Sequence, residues 1–153
     1  MSGIEGYREL NQIAGMTKQD CKKLQVLQNC VMRLIVRDMN KMSTDDLLKQ
    51  TDSLSVHQMI DYYTLIAVHK VLCSKLAERL PLVNHHRGLR GNDGPLISVP
   101  SYKLDVSRVG FIFRGGKLFN SLPRTLREES NPISFKSQAI TWVMKKIQVR
   151  PDK

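Results

Sequence analysis

Residues 55–72, SVHQMIDYYTLIAVHKVL, constrain the fold more than any other stretch of the chain. Ser55 and Gln58 make an S-x-x-Q capping box, and Leu54 and Met59 are spaced for the hydrophobic staple that accompanies it. From Val56 the apolar positions run through Ile60, Tyr63, Ile66, Val71, Leu72, Leu76 and Leu80 until Pro81 stops the pattern. In the middle of this run apolar residues occupy most sides of the helix, so it must be central and covered on nearly every face. A helix over 56–80 would be about 37 Å long. The rest of the chain has to supply its cover.

Three further helices are readable. Thr17 opens TKQD, where its hydroxyl can cap a helix and Asp20 can reach back to the capping residue. Leu24, Leu27, Val31, Leu34 and Ile35 then recur at helical spacing, apart from Lys22, Gln25, Asn29 and Arg33, which predicts a helix over 18–37. A short helix over 44–51 follows Ser43, with Asp45 and Asp46 in the first turn where the helix dipole favours negative charge. Asn131 is a good cap and Pro132 suits the first helical position, so a closing helix runs over 132–147 with Phe135, Ala139, Trp142 and Val143 along one side. At 153 residues and 41% hydrophobic the chain has material for one core. The expected fold is mainly α: one helical domain over 17–147, with a poorly ordered lead at 1–16 and a tail at 148–153.

Residues 82–127 differ in kind. They hold six of the nine glycines and three of the six prolines, and eight cations against two acids. LISV and SRVGFIF have the β-branched and aromatic content of strands, so this segment is expected to be irregular or a small β unit packed on the helices. The net charge of +10 and a pI of about 9.8 point to an anionic partner: nucleic acid, an acidic protein or a membrane surface. No apolar run approaches the roughly 20 residues that span a bilayer. Three cysteines, Cys21, Cys30 and Cys73, cannot all pair, which favours a reducing compartment. An intracellular protein of nucleus or cytoplasm is the expectation, with no membrane partner and no secretory signal.

Little in the sequence supports catalysis. Asp45–Asp46 is the one adjacent aspartate pair, and its context, MSTDDLLKQ, is a helix start. His85–His86 lack metal-ligand spacing, and His69 on the central helix reads as a buried, hydrogen-bonded residue. Gly88, Gly91 and Gly94 lack the Lys-Ser/Thr ending of a phosphate loop and suit turns. No cofactor is expected. The basic segment, interleaved with Tyr102, Phe111, Phe113 and Phe119, has the composition of a surface that meets phosphates and stacks bases.

The order of phrases is that of a known family. KKLQVLQNCVMRLI, LLKQTDSLSVHQMIDYYTLIAVHKVL, RGLRGNDGPLISVPSYKLDVSRVGFIFRGGKLFNSLPRTLRE and SFKSQAITWV together resemble the C-terminal tail of reverse transcriptases of non-LTR retrotransposons of the jockey and chicken-repeat type. The resemblance runs from about Lys18 to Lys146, with Phe119 standing where the family has Trp. It implies a region beyond the polymerase thumb, following a catalytic core whose metal-binding aspartates lie upstream of Met1, so that no catalytic residue transfers to this chain. By that resemblance the upstream polymerase domain is one partner and template RNA or target DNA another, with Arg87, Arg90, Arg108, Arg114 and Lys117 as phosphate contacts.

LFNSLP at 118–123 is expected to act structurally, as the hinge between the basic segment and the closing helix. Leu118, Phe119 and Leu122 plug into the core, Asn120 and Ser121 cap or turn the backbone, Pro123 starts a short helix, and Trp142 of the last helix counts with these hinge and core residues. Two other readings of the whole chain have their own marks. A helical module docking on a polymerase core or host factor would expose an apolar helix face. A decayed retrotransposon fragment would have no selected function.

Overall fold

The structure, a computed structural model, describes residues 16–37, 42–74, 95–99 and 111–146. Among the described residues six helices follow in order: α1 Lys18–Val36, α2 Thr44–Gln50, α3 Val56–Leu72, α4 Phe111–Asn120, α5 Arg124–Arg127 and α6 Pro132–Lys146. The fold is mainly helical, with no strand or sheet among the described residues. The expected lead at 1–16 lies outside them but for Met16, and the tail at 148–153, His85–His86 and the glycines 88, 91 and 94 lie outside entirely.

Local signals set the helix starts. The Thr17 hydroxyl accepts from the Asp20 N–H at 3.2 Å, and the Asp20 carboxylate accepts from the Thr17 N–H at 3.3 Å. Ser55 and Gln58 make the same reciprocal box at 3.3 and 2.8 Å. Ser43 caps α2, and the Asn131 side chain accepts from Ile133 and Ser134 N–H to start α6.

The core lies where α3 meets α4 and α6. Leu65, Ala67, Val68 and Val71 pack with Ile97, Phe111, Leu118, Phe119, Leu122, Leu126, Phe135, Ala139 and Val143, and Trp142 packs against the edge of this cluster. The central helix ends earlier than its apolar pattern implies. Cys73 is its cap, and both the N–H and the hydroxyl of Ser74 turn back onto the Val71 carbonyl, at 3.2 and 2.8 Å. Residues 75–80 of the expected helix lie outside the described residues.

The expected irregular or β character of 82–127 holds over 95–99, which are not helical, and fails over 111–127. Phe111–Phe113, the end of the run SRVGFIF, begin helix α4, and Gly115 and Gly116 sit inside it. Packing overrides propensity here. A Cβ on Gly115 would lie 2.8 Å from Val68 Cγ2 of α3, and one on Gly116 would lie 3.0 Å from Val99 Cγ2. The two glycines therefore let α4 wedge between α3 and the 95–99 segment. Of LISV, Ile97 is a buried bridge residue whose backbone is also held by a side chain: the Ile97 N–H donates to Asn120 Oδ1 at 2.9 Å, and Asn120 Nδ2 donates to the Ile97 carbonyl at 2.8 Å.

Candidate protein-docking surface

Helix α1 is mounted the opposite way round from an ordinary amphipathic helix. Its polar residues face the domain. Gln25 Oε1 accepts from the Val56 N–H at 3.0 Å, covering a donor at the start of α3, while its Nε2 donates to Gln28 and Asn29 at 3.0 Å each. Gln28 Nε2 donates to the Leu54 carbonyl at 2.7 Å, and Asn29 Nδ2 donates to the Thr44 hydroxyl at 2.8 Å. Met32 is the buried apolar residue of the helix, with the Thr51 hydroxyl 3.3 Å from its sulfur. Each amide is thus matched to a group of α2, α3 or the turn between them.

The apolar side faces out. Leu27 is 61% exposed, Val31 55%, Leu34 79% and Ile35 70%, with Leu24 exposed beside them and Val26 exposed further round the helix. At 3.6 residues per turn Leu24, Leu27, Val31 and Leu34 form one row, and Ile35 widens it. These side chains make a patch on the order of 500 Å², a size at which apolar surface on a monomer marks an interaction site. On the side of the row away from Gln28 lies the exposed Lys23, the exposed Arg37 follows at the left-handed cap that ends the helix, and Arg33, further round, donates to the Met42 carbonyl at 3.3 Å. The other edge runs down to Gln28 and the domain. At its N-terminal end the row meets Asp20, whose carboxyl is held below the usual aspartate range by hydrogen bonds from the Thr17 hydroxyl and N–H. The periodicity of this row was visible in the sequence; its outward orientation was not.

The residues expected to touch phosphate are not brought together. Arg87, Arg90 and Arg108 lie outside the described residues. Arg114 turns inward, its Nη2 3.0 Å from Asp61 Oδ1, tying α4 to α3 in a mostly buried ion pair. Lys117 is exposed, with its Nζ 4.5 Å from the centre of the Phe113 ring. Two further cations of the segment are engaged as well. Arg124 pairs with Glu128 at 2.8 Å on the surface, and Arg127 is buried with Nη1 3.4 Å from the Pro95 carbonyl and Nε without a partner.

The LFNSLP residues sit at the junction of three elements. Leu118, Phe119 and Leu122 are buried in the core, Asn120 clamps Ile97, and Pro123 is the capping residue of α5. Trp142 lies partly buried against the same cluster.

No reactive constellation stands out among the described residues. Among the described residues no group of three His, Cys, Asp or Glu could hold a metal ion, and no helix is long and apolar enough to cross a membrane. Asp45 and Asp46 sit in the first turn of α2, where Asp46 accepts from the Ser43 hydroxyl at 2.6 Å. His69 is buried, stacked on Phe135 with ring centres 4.0 Å apart, and its Nε2–H donates to the Glu129 carbonyl at 2.8 Å. Cys73 Sγ approaches the same ring at 3.6 Å. The Glu129 carboxyl is held below the usual glutamate range, first by the Ser134 hydroxyl at 2.7 Å and then by the Asn131 N–H at 2.9 Å. These groups join α3 to the start of α6. No protein-family model, curated protein or solved structure matches the chain.

Proposed function

We propose that the chain is a non-catalytic helical docking module that holds a protein partner through the outward apolar row of α1. The observation that carries this reading is the inverted helix: leucine, valine and isoleucine in solvent, glutamine and asparagine toward the domain. Burying one such side chain is worth about 1.5–3 kcal/mol, so a partner covering four of them gains a large driving force. The resemblance to the region beyond the thumb of non-LTR reverse transcriptases makes a polymerase core the first partner to try. The test is co-purification of the chain with such a core, as wild type and as Leu27→Asp/Leu34→Asp. Both positions are exposed, so the variant should fold normally and lose the partner. Equal recovery of the two proteins would remove the reading.

A second reading, contact with template RNA or target DNA, is favoured by the surface charge. Eleven lysines and arginines are exposed among the described residues against five aspartates and glutamates. Lys117 and the cations of α1 are among the exposed residues that could meet phosphates. RNA and duplex DNA titrated against salt decide it: about five contacts give a slope of log K on log salt near −3 to −5. An absence of binding at low salt would end this reading.

A further inference from the structure

We infer that the occupant of the α1 row is an acidic amphipathic helix, an inference that rests on the docking role proposed above. The row has the spacing of a coiled-coil seam, with Leu24 and Val31 alternating with Leu27 and Leu34 over two heptads. From Leu24 to Ile35 it extends about 17 Å, which fits a partner helix of three to four turns. A helix laid along it meets Lys23 beside the first turns of the row and Arg37 at the cap that ends α1. Over residues 18–37 there are five cations and one acid, and that acid, Asp20, lies in line with the apolar row and not on its basic edge. The partner therefore needs carboxylates along one edge.

A second copy of the chain does not supply them. The positions that would oppose Lys23, Cys30 and Arg37 in a parallel pair are Gln28 and Ile35, and an antiparallel pair sets the cations against one another. A lipid surface fits poorly as well. The row has no aromatic residue, its cations lie on one side only, and Asp20 would be carried into the apolar layer. Nucleic acid gains nothing from leucine and valine, which offer no face for stacking.

The experiment uses the full chain and two designed four-heptad peptides with isoleucine and leucine in the seam. One carries glutamate and the other lysine at the flanking positions. Fluorescence anisotropy should show the glutamate peptide binding at least tenfold more tightly than the lysine peptide, with the difference shrinking at high salt. Leu27→Asp should abolish binding of both, and Lys23→Glu/Arg37→Glu should reverse the preference. Equal binding of the two peptides would overturn the acidic partner while leaving the docking face standing. Failure of both to bind would overturn the face as well. Sedimentation showing a dimer that Leu27→Asp dissolves would assign the row to a second copy, and anionic vesicles capturing the wild type but not Leu27→Asp would assign it to a membrane.

Discussion

Gly115 offers the most direct check on how closely α3 and α4 meet. A methyl group there would lie 2.8 Å from Val68 Cγ2, 3.5 Å from Thr64 Cγ2 and 3.8 Å from the Phe111 ring. Val68 is β-branched and 1% exposed, so it has one comfortable rotamer in the helix and no room to leave it. Thr64 is fixed by its hydroxyl donating to the Ile60 carbonyl at 2.6 Å. Replacing a helical glycine by alanine ordinarily gains about 0.5–1 kcal/mol, and forcing a methyl into a packed core costs about 1–3 kcal/mol. The steric cost is the larger, so Gly115→Ala should destabilise by about 1–2 kcal/mol, lowering the melting temperature by roughly 3–6 °C. Urea unfolding measures the difference directly. A second arm isolates the contact. In a Val68→Ala background the added methyl fills the space left behind, and the two substitutions should be coupled favourably by about 1 kcal/mol or more. If Gly115→Ala instead stabilises, as at a solvent-facing helical glycine, the close approach of the two helices is refuted.

Other outcomes follow from the same packing. Phe119→Ala should cost about 3–5 kcal/mol, because the ring is fully buried at the junction of α4 with the core; an unchanged unfolding midpoint would place it at the surface. Asn120→Ala removes both side-chain hydrogen bonds to the buried Ile97 backbone and should cost about 2–4 kcal/mol, with the Ile97 amide exchanging faster. Asn120→Asp, which keeps the acceptor and loses the donor, should fall between. The carboxyl of Glu129 is depressed in the folded state, so its contribution to stability is full above the unfolded carboxyl value and is lost as pH falls through the folded one. Acid unfolding should therefore be less steep in Ser134→Ala, and carboxyl NMR titration should show Glu129 moving up toward its ordinary value.

Signals confined to three or four residues were legible in the sequence. Thr17, Ser43, Ser55 and Asn131 cap the helices they precede because capping needs only a side-chain oxygen and the next turn of backbone. Helix α4 was not legible. Its glycines and β-branched start suit turns and strands when taken alone, and what makes it helical is the fit of Gly115 to Val68 and of Gly116 to Val99 across distant parts of the chain. The early end of α3 is similar, since the apolar positions continue past Ser74 while the backbone has already turned onto Val71. The direction of α1 was hidden for another reason. Periodicity shows which residues share a face, and nothing in it shows whether that face meets the core. Gln25, Gln28 and Asn29 look like surface residues until their backbone partners on α2 and α3 are known. The same limit applied to Arg114, whose carboxylate partner Asp61 lies 53 residues away.

The joint between α1 and its neighbours behaves differently from the joints of the core. It is made largely of amide hydrogen bonds, each of which water can replace, and it buries little apolar surface beyond Met32. The joints of α3 with α4 and α6 are mainly apolar, with the Asp61–Arg114 pair and the His69–Glu129 hydrogen bond added, and cannot open without exposing that apolar surface. Local opening should therefore begin at α1, whose amides should exchange well before those of Leu65 or Val68. The helix that presents the apolar row is thus seated by the joint that costs least to open, while the core stays closed.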